Sequence, residues 1–122
     1  MPPRKRKGRS DRNHVVYRLT CTQTGETYFG VTVARSRAYK KSMLARWKHH
    51  VRNALVYDKQ TVLYDRLREV GPGAWKLEIV AVIRGKQPAH DYERLLIQEH
   101  GPELNMEGMR RKKQRVSDAK AS

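Results

Sequence analysis

The sequence predicts an α/β chain of the segregated (α+β) kind: a small sheet with helices packed on it, in the order β-β-α-α-β-α. Three observations carry that prediction. Two stretches rich in β-branched and aromatic residues flank a glycine-containing turn near the N-terminus. Apolar residues then recur at helical spacing from Lys41 to Val56. A strand-like run, Trp75–Ile83, follows Gly71-Pro72-Gly73 and precedes a further helical pattern.

Each element has its own warrant. Residues 14–20 (HVVYRLT) and 26–32 (ETYFGVT) have strand composition, and CTQTG between them supplies a turn in which Gly25 can take positive φ. Together they read as a β-hairpin. The segment ARSRAYKKS that follows is basic and unpatterned. In the first helix Met43, Leu44, Trp47, Val51 and Leu55 share one face, with Ser42 as the candidate cap and no acidic residue in the first turn. A shorter helix over 61–70 (TVLYDRLREV) is stopped by Gly71-Pro72-Gly73. In 75–83 (WKLEIVAVI) Leu77, Ile79, Val80 and Ile83 suggest burial on both faces. Pro88 opens a last helix near 89–100 (AHDYERLLIQEH), ended by Gly101-Pro102. Trp47, Leu63, Leu67, Trp75 and Leu95–Ile97 are the expected core.

A chain of 122 residues has room for one domain. Its net charge is +15, and ten of those charges sit in residues 1–12 and 108–122. Both ends lack apolar periodicity and are expected to be disordered arms, leaving 13–107 as the globular domain. A surface this basic binds polyanions by releasing their counterions, so nucleic acid is the expected partner. Arms of one sign at both ends suit gripping phosphate without reading sequence. Arg4–Lys7 also has the composition of a nuclear-import patch. The single cysteine, Cys21, excludes an internal disulfide and a cysteine-based zinc site. The longest apolar run, Leu77–Ile83, is broken by Glu78 and is too short to span a bilayer. The start, MPPRKRKGRS, has no apolar segment after its basic residues, unlike a secretory signal. A soluble, cytoplasmic protein without membrane association is expected.

Six side chains stand out as chemically capable. Tyr17 and Tyr28 lie on adjacent strands of the hairpin, where a short turn can bring them to one patch. Arg46 and His50 are spaced i, i+4 and so share a helical face. Glu93 lies on the last helix, and Asn105 follows it. This set can meet the needs of phosphodiester hydrolysis. A hard cation such as Mg²⁺ keeps most of its waters, so one carboxylate can hold it beside a substrate phosphate. A guanidinium offsets charge developing on phosphoryl oxygens. A Tyr or His can accept a proton from water if its environment favours that, and the metal can assist the leaving 3′-oxygen.

The arrangement resembles the GIY-YIG nuclease family, which includes phage homing endonucleases, some restriction enzymes and the incision subunit of bacterial excision repair. Val15-Val16-Tyr17 stands where that family has Gly-Ile-Tyr, and Tyr28-Phe29-Gly30 where it has Tyr-Ile-Gly. Arg46-Trp47-Lys48-His49-His50 is similar to the helical R-W-x-x-H stretch of the homing enzymes. Glu93 matches the metal-binding Glu, and Leu104-Asn105 the closing Leu-Asn. The resemblance spans about residues 14–106, with its five pieces in family order. It implies a three-stranded antiparallel sheet flanked by helices and a DNA endonuclease of homing type, from a phage or mobile element. One divalent metal, Mg²⁺ or Mn²⁺, would sit on Glu93. It further implies Tyr17 as general base or water-positioning phenol, with Tyr28 and His50 assisting. Arg46 would clamp the scissile phosphate and Asn105 would buttress the site.

The chain also departs from the pattern. Val15 and Val16 replace Gly and Ile, although Tyr17 is kept. The stretch from Gly30 to Arg46 is longer than in the compact homing enzymes, and the excess lies in the basic segment Val33–Lys41. Some family members carry a Lys shortly after the second motif, where this chain has Val31-Thr32; Lys40 or Lys41 is the available substitute. Arg35, Arg37, Lys40, Lys41, Lys48, Arg110, Arg111, Lys112 and Lys113 are the candidate contacts to double-stranded DNA. No separate DNA-reading domain accompanies them, which favours weak sequence preference. A homodimer would let single-site domains cut both strands, but no interface is legible. Taken singly, each site residue has an ordinary structural reading: a cross-strand Tyr pair, a surface His, an ion-paired Glu. The competing function is a non-catalytic basic module on the same fold, motivated by the charged tails and the altered first motif.

Overall fold

The computed structural model describes residues 12–105. It contains β1 (Asn13–Cys21), β2 (Thr27–Val33), α1 (Tyr39–Leu55), α2 (Val62–Val70), β3 (Trp75–Arg84) and α3 (Lys86–His100), closed by a 3₁₀ turn at Glu103–Asn105. The expected order β-β-α-α-β-α therefore holds. The readings made of residues 1–11 and 108–122, including Arg110, Arg111, Lys112 and Lys113, lie outside the described residues. No helix among the described residues is long and apolar enough to cross a membrane.

The sheet is three-stranded and antiparallel, in the order β2-β1-β3. As the central strand, β1 is covered on both faces, which explains its near-continuous apolar run. Val15, Tyr17, Leu19 and Cys21 pack with Met43, Ala54, Leu63, Tyr64, Leu67 and Leu104 from α1, α2 and the 3₁₀ turn. On the other face Val16 and Phe29 meet Leu96 of α3. The hairpin turns where expected, with Gly25 at φ +78°. Thr61 caps α2 by accepting the backbone N–H of Tyr64.

Four expectations need correction. First, β3 is an edge strand, and Ile79, Val80 and Val82 are 36–40% exposed. A register shift between Val16 and Tyr17 pairs them with Ala81 and Ile79, leaving Val80 without a partner in the bulge. Second, α1 begins at Tyr39, so Ser42 is not its cap. The Ser42 hydroxyl donates to the Ala38 carbonyl (2.7 Å) and accepts from the Arg35 N–H (3.0 Å), pinning the short loop after β2. Third, α3 begins at Lys86; Pro88 sits within the first turn, where a missing N–H is tolerated. Fourth, Leu95 is 47% exposed and belongs to the solvent face of α3 while Leu96 enters the core.

Candidate active site

The site is built around Tyr17. Strand alternation points its ring to the α1 side of the sheet, and register places it opposite Gly30 on β2. A Cβ added to Gly30 would lie 2.9 Å from the Tyr17 Cε1 and closer still to Cζ and Oη. Only a residue without a side chain lets the phenol rest there. On α1, residues Tyr39, Met43, Arg46, His50 and Asn53 follow one stripe of a 3.6-residue helix. That stripe brings His50 to the phenol: Tyr17 Oη and His50 Nε2 are 2.8 Å apart. The other ring nitrogen, Nδ1, is 2.8 Å from the Tyr64 hydroxyl, to which the Asn53 amide donates at 3.1 Å. Tyr17, His50, Tyr64 and Asn53 thus form a continuous buried row, none more than 6% exposed. Tyr28, diagonal to Tyr17 across the hairpin, stacks at 6.4 Å and meets the His50 ring edge-on at 5.6 Å.

Burial sets the electrostatics of this row. It pushes the Tyr17 phenol above its ordinary range, with Tyr28 and Glu93 adding to the effect and the Arg46 guanidinium opposing it. The same burial, with Arg46 and then His49 adding to it, holds His50 down to about 3, so its imidazole is neutral at physiological pH. Arg46 is the positive charge that favours a Tyr17 anion. Its Nε is buried and has no hydrogen-bond partner among the described residues. A guanidinium donor left in that condition is costly unless something arrives to accept from it.

Glu93 comes from α3, which covers the opposite face of the sheet, yet its charge reaches Tyr17. Its side chain is 20% exposed and lies 3.3 Å from His90 Nδ1. Partial burial raises its carboxyl above the ordinary value, and the His90 contact opposes that. Among the described residues no group of three or more His, Cys, Asp and Glu could hold a metal ion. An all-protein cage is therefore absent from this region, whereas a lone, partly exposed carboxylate fits a hydrated Mg²⁺-type ion that takes its remaining ligands from water and phosphate.

Asn105 does not enter the row. Its carboxamide accepts from the Phe29 N–H (2.7 Å) and donates to the Phe29 carbonyl (2.9 Å). It thereby closes the outer edge of β2 beside Gly30, while Glu103 accepts from the Thr27 N–H (3.3 Å). The structure thus brings Tyr17, Tyr28, Arg46 and His50 together, sets Glu93 within electrostatic reach, and uses Asn105 to fix the strand. Arg35, Arg37, Lys40, Lys41 and Lys48 are all exposed. Helical periodicity puts Lys41 and Lys48 on one stripe with Arg52, nearly opposite the stripe of Arg46 and His50.

Sequence reasoning missed Tyr64, Asn53, Gly30 as a contact surface, and His90. A signal existed for Tyr64, because a tyrosine between the core residues Leu63 and Leu67 must bury its hydroxyl and so needs a partner. No curated protein and no solved structure matches the chain. The model of the GIY-YIG catalytic domain matches residues 13–107, which contain all three strands, all three helices and the 3₁₀ turn. The chain belongs to the GIY-YIG catalytic domain family, a family of metal-dependent nucleases that act on DNA.

Proposed function

We propose that the chain is an endonuclease that hydrolyses phosphodiester bonds in double-stranded DNA with one divalent cation, Mg²⁺ or Mn²⁺, held on Glu93. The observation that carries this reading is the unpartnered Arg46 Nε beside a buried Tyr17–His50 pair. In this reading Arg46 donates to the scissile phosphate, which relieves its missing hydrogen bond and offsets charge on the phosphoryl oxygens. Tyr17 is a neutral phenol in the resting protein and positions the attacking water. To act as general base it first loses its own proton to solvent; Arg46 favours the resulting phenolate, which then takes the proton of the attacking water. His50 and Tyr28, whose rings also meet each other, hold the phenol in place together. Asn105 keeps β2, and with it Gly30, in register beneath the ring. When bound, the cation would supply a Lewis acid for the phosphate and assistance to the leaving 3′-oxygen.

The exposed Arg35, Arg37, Lys40, Lys41 and Lys48 would grip phosphate, joined by Arg110, Arg111, Lys112 and Lys113 of the C-terminal arm. Contacts of that kind set affinity and orientation without reading bases. The Arg46–His50 stretch favours the homing type, from a phage or mobile element, among the roles open to such a nuclease. Incubation of supercoiled plasmid with the purified protein tests the reading. Nicked or linear product that needs Mg²⁺ or Mn²⁺ and vanishes with chelator is expected. Plasmid that is bound but left intact with either metal would refute it, and would leave a non-catalytic basic module.

A further inference from the structure

We propose that His90 is a second protein ligand of the cation held on Glu93, so that the site selects Mn²⁺ over Mg²⁺. The proposal deepens the nuclease reading and rests on it for the presence of an ion at Glu93.

The helix sets the placement. His90 and Glu93 are three residues apart on α3 and so share a face. His90 Nδ1 and Glu93 Oε1 are 3.3 Å apart. That is long for a charge-assisted hydrogen bond, which closes to about 2.7–2.9 Å. It is the spacing of two neighbouring ligands on one ion, since donors about 2.1 Å from a metal at octahedral or tetrahedral angles stand about 3.0–3.4 Å apart. The pair therefore already stands at a chelating distance.

The surroundings leave these two groups to an ion. Asp91, two residues before Glu93, is engaged by Gln87 (2.9 Å) and Arg94 (3.2 Å). Glu93 has no such partner beyond His90 among the described residues. The two side chains are 42% and 20% exposed, open enough for a hydrated ion to reach. No third His, Cys, Asp or Glu among the described residues joins them, so most positions on the ion stay with water and phosphate.

The donor types decide the ion. A neutral imidazole with its hydrogen on Nε2 offers the Nδ1 lone pair on the side where Glu93 lies. Mg²⁺ takes oxygen ligands and gives up its waters reluctantly, so it gains little from that nitrogen. The first-row transition ions, which begin with Mn²⁺, accept nitrogen donors, and a site of one nitrogen and one carboxylate favours them.

Electron paramagnetic resonance of Mn²⁺ titrated into the full chain counts the free ion, and its pulsed form reads ¹⁴N bound directly to the metal. Neither measurement needs DNA or turnover. His90→Gln is the informative variant, because Gln can still donate a hydrogen bond to Glu93 but brings no imidazole nitrogen. Wild type should bind Mn²⁺ with a ¹⁴N coupling. His90→Gln should lose that coupling and bind Mn²⁺ about 10–100-fold more weakly. Its affinity for Mg²⁺, followed by calorimetry, should stay close to that of wild type. Mn²⁺ binding that Glu93→Gln abolishes but His90→Gln leaves unchanged overturns this proposal and leaves the nuclease reading standing. Mn²⁺ binding that Glu93→Gln leaves unchanged overturns the assignment of the ion to Glu93, and this proposal with it.

Discussion

Substituting Gly30 by Ala tests the packing beneath Tyr17 more sharply than removing any catalytic group. The added Cβ would stand 2.9 Å from Tyr17 Cε1 and nearer to Cζ and Oη. Carbon pairs rest at about 3.5–4.0 Å, so ring or strand must yield by roughly 1 Å. The ring has little room, being 1% exposed and held by His50 at 2.8 Å. Forced overpacking costs about 1–3 kcal/mol, and a buried hydrogen bond left unmade costs a similar amount. These terms overlap, so a loss of about 2–4 kcal/mol is expected. For a domain of this size that lowers Tm by about 10–20 °C. Displacing a reacting group by roughly 1 Å can slow chemistry about 100-fold, so plasmid cutting should fall by that order with DNA affinity little changed. Gly73→Ala is the control, since a Cβ there meets nothing within 4 Å. Thermal melts and single-turnover cutting rates for both variants provide the readout. Wild-type stability and rate in Gly30→Ala would refute the assigned position of the Tyr17 ring.

Three further outcomes follow from named contacts. His50 is held at about 3 against an ordinary 6.5. Between those values the unfolded chain binds a proton that the folded chain does not, so stability falls as pH drops through that window. The loss from this group is about 3 kcal/mol by pH 4; urea unfolding should therefore show a flatter pH dependence in His50→Gln than in wild type, and parallel curves would contradict the assignment. Asn105→Ala removes both partners of the Phe29 backbone at a half-buried edge and should destabilise by about 1–3 kcal/mol in chemical denaturation; a change within error would mean that water replaces the carboxamide. If Arg35 and Arg37 each neutralise one phosphate, changing both to Ala lowers the slope of log affinity against log salt by about 2. An unchanged slope in a fluorescence-anisotropy titration would remove them from the DNA surface.

The elements were legible where local chemistry decides them. The hairpin shows in its composition and in Gly25, and α2 in Thr61 and its glycine-proline stop. Tyr17, Arg46, His50 and Glu93 were legible through their order along the chain, which matched a known pattern. Tertiary placement was not. The apolar run of β3 has the same composition whether one or both faces are covered, and only the strand order β2-β1-β3 makes it an edge. Ser42 offers its hydroxyl equally well as a cap or as a back-bond to Ala38, and the loop of residues 34–38 decides between them. Tyr64 is 14 residues from His50 and Tyr17 is 33. No spacing rule links such separations, so the buried row emerges only when α1 and α2 pack on one face of the sheet. Asn105 bonds the backbone of Phe29 from 76 residues away, another contact that no spacing rule reaches.

The most direct measurement pairs cutting with binding in Glu93→Gln, a substitution that keeps the shape of the side chain and removes its charge. With Mg²⁺ present and DNA saturating, the variant should hold plasmid at least as tightly as wild type and leave it supercoiled. Cutting by Glu93→Gln at the wild-type rate would mean that the cation, and the chemistry, sit elsewhere on the protein.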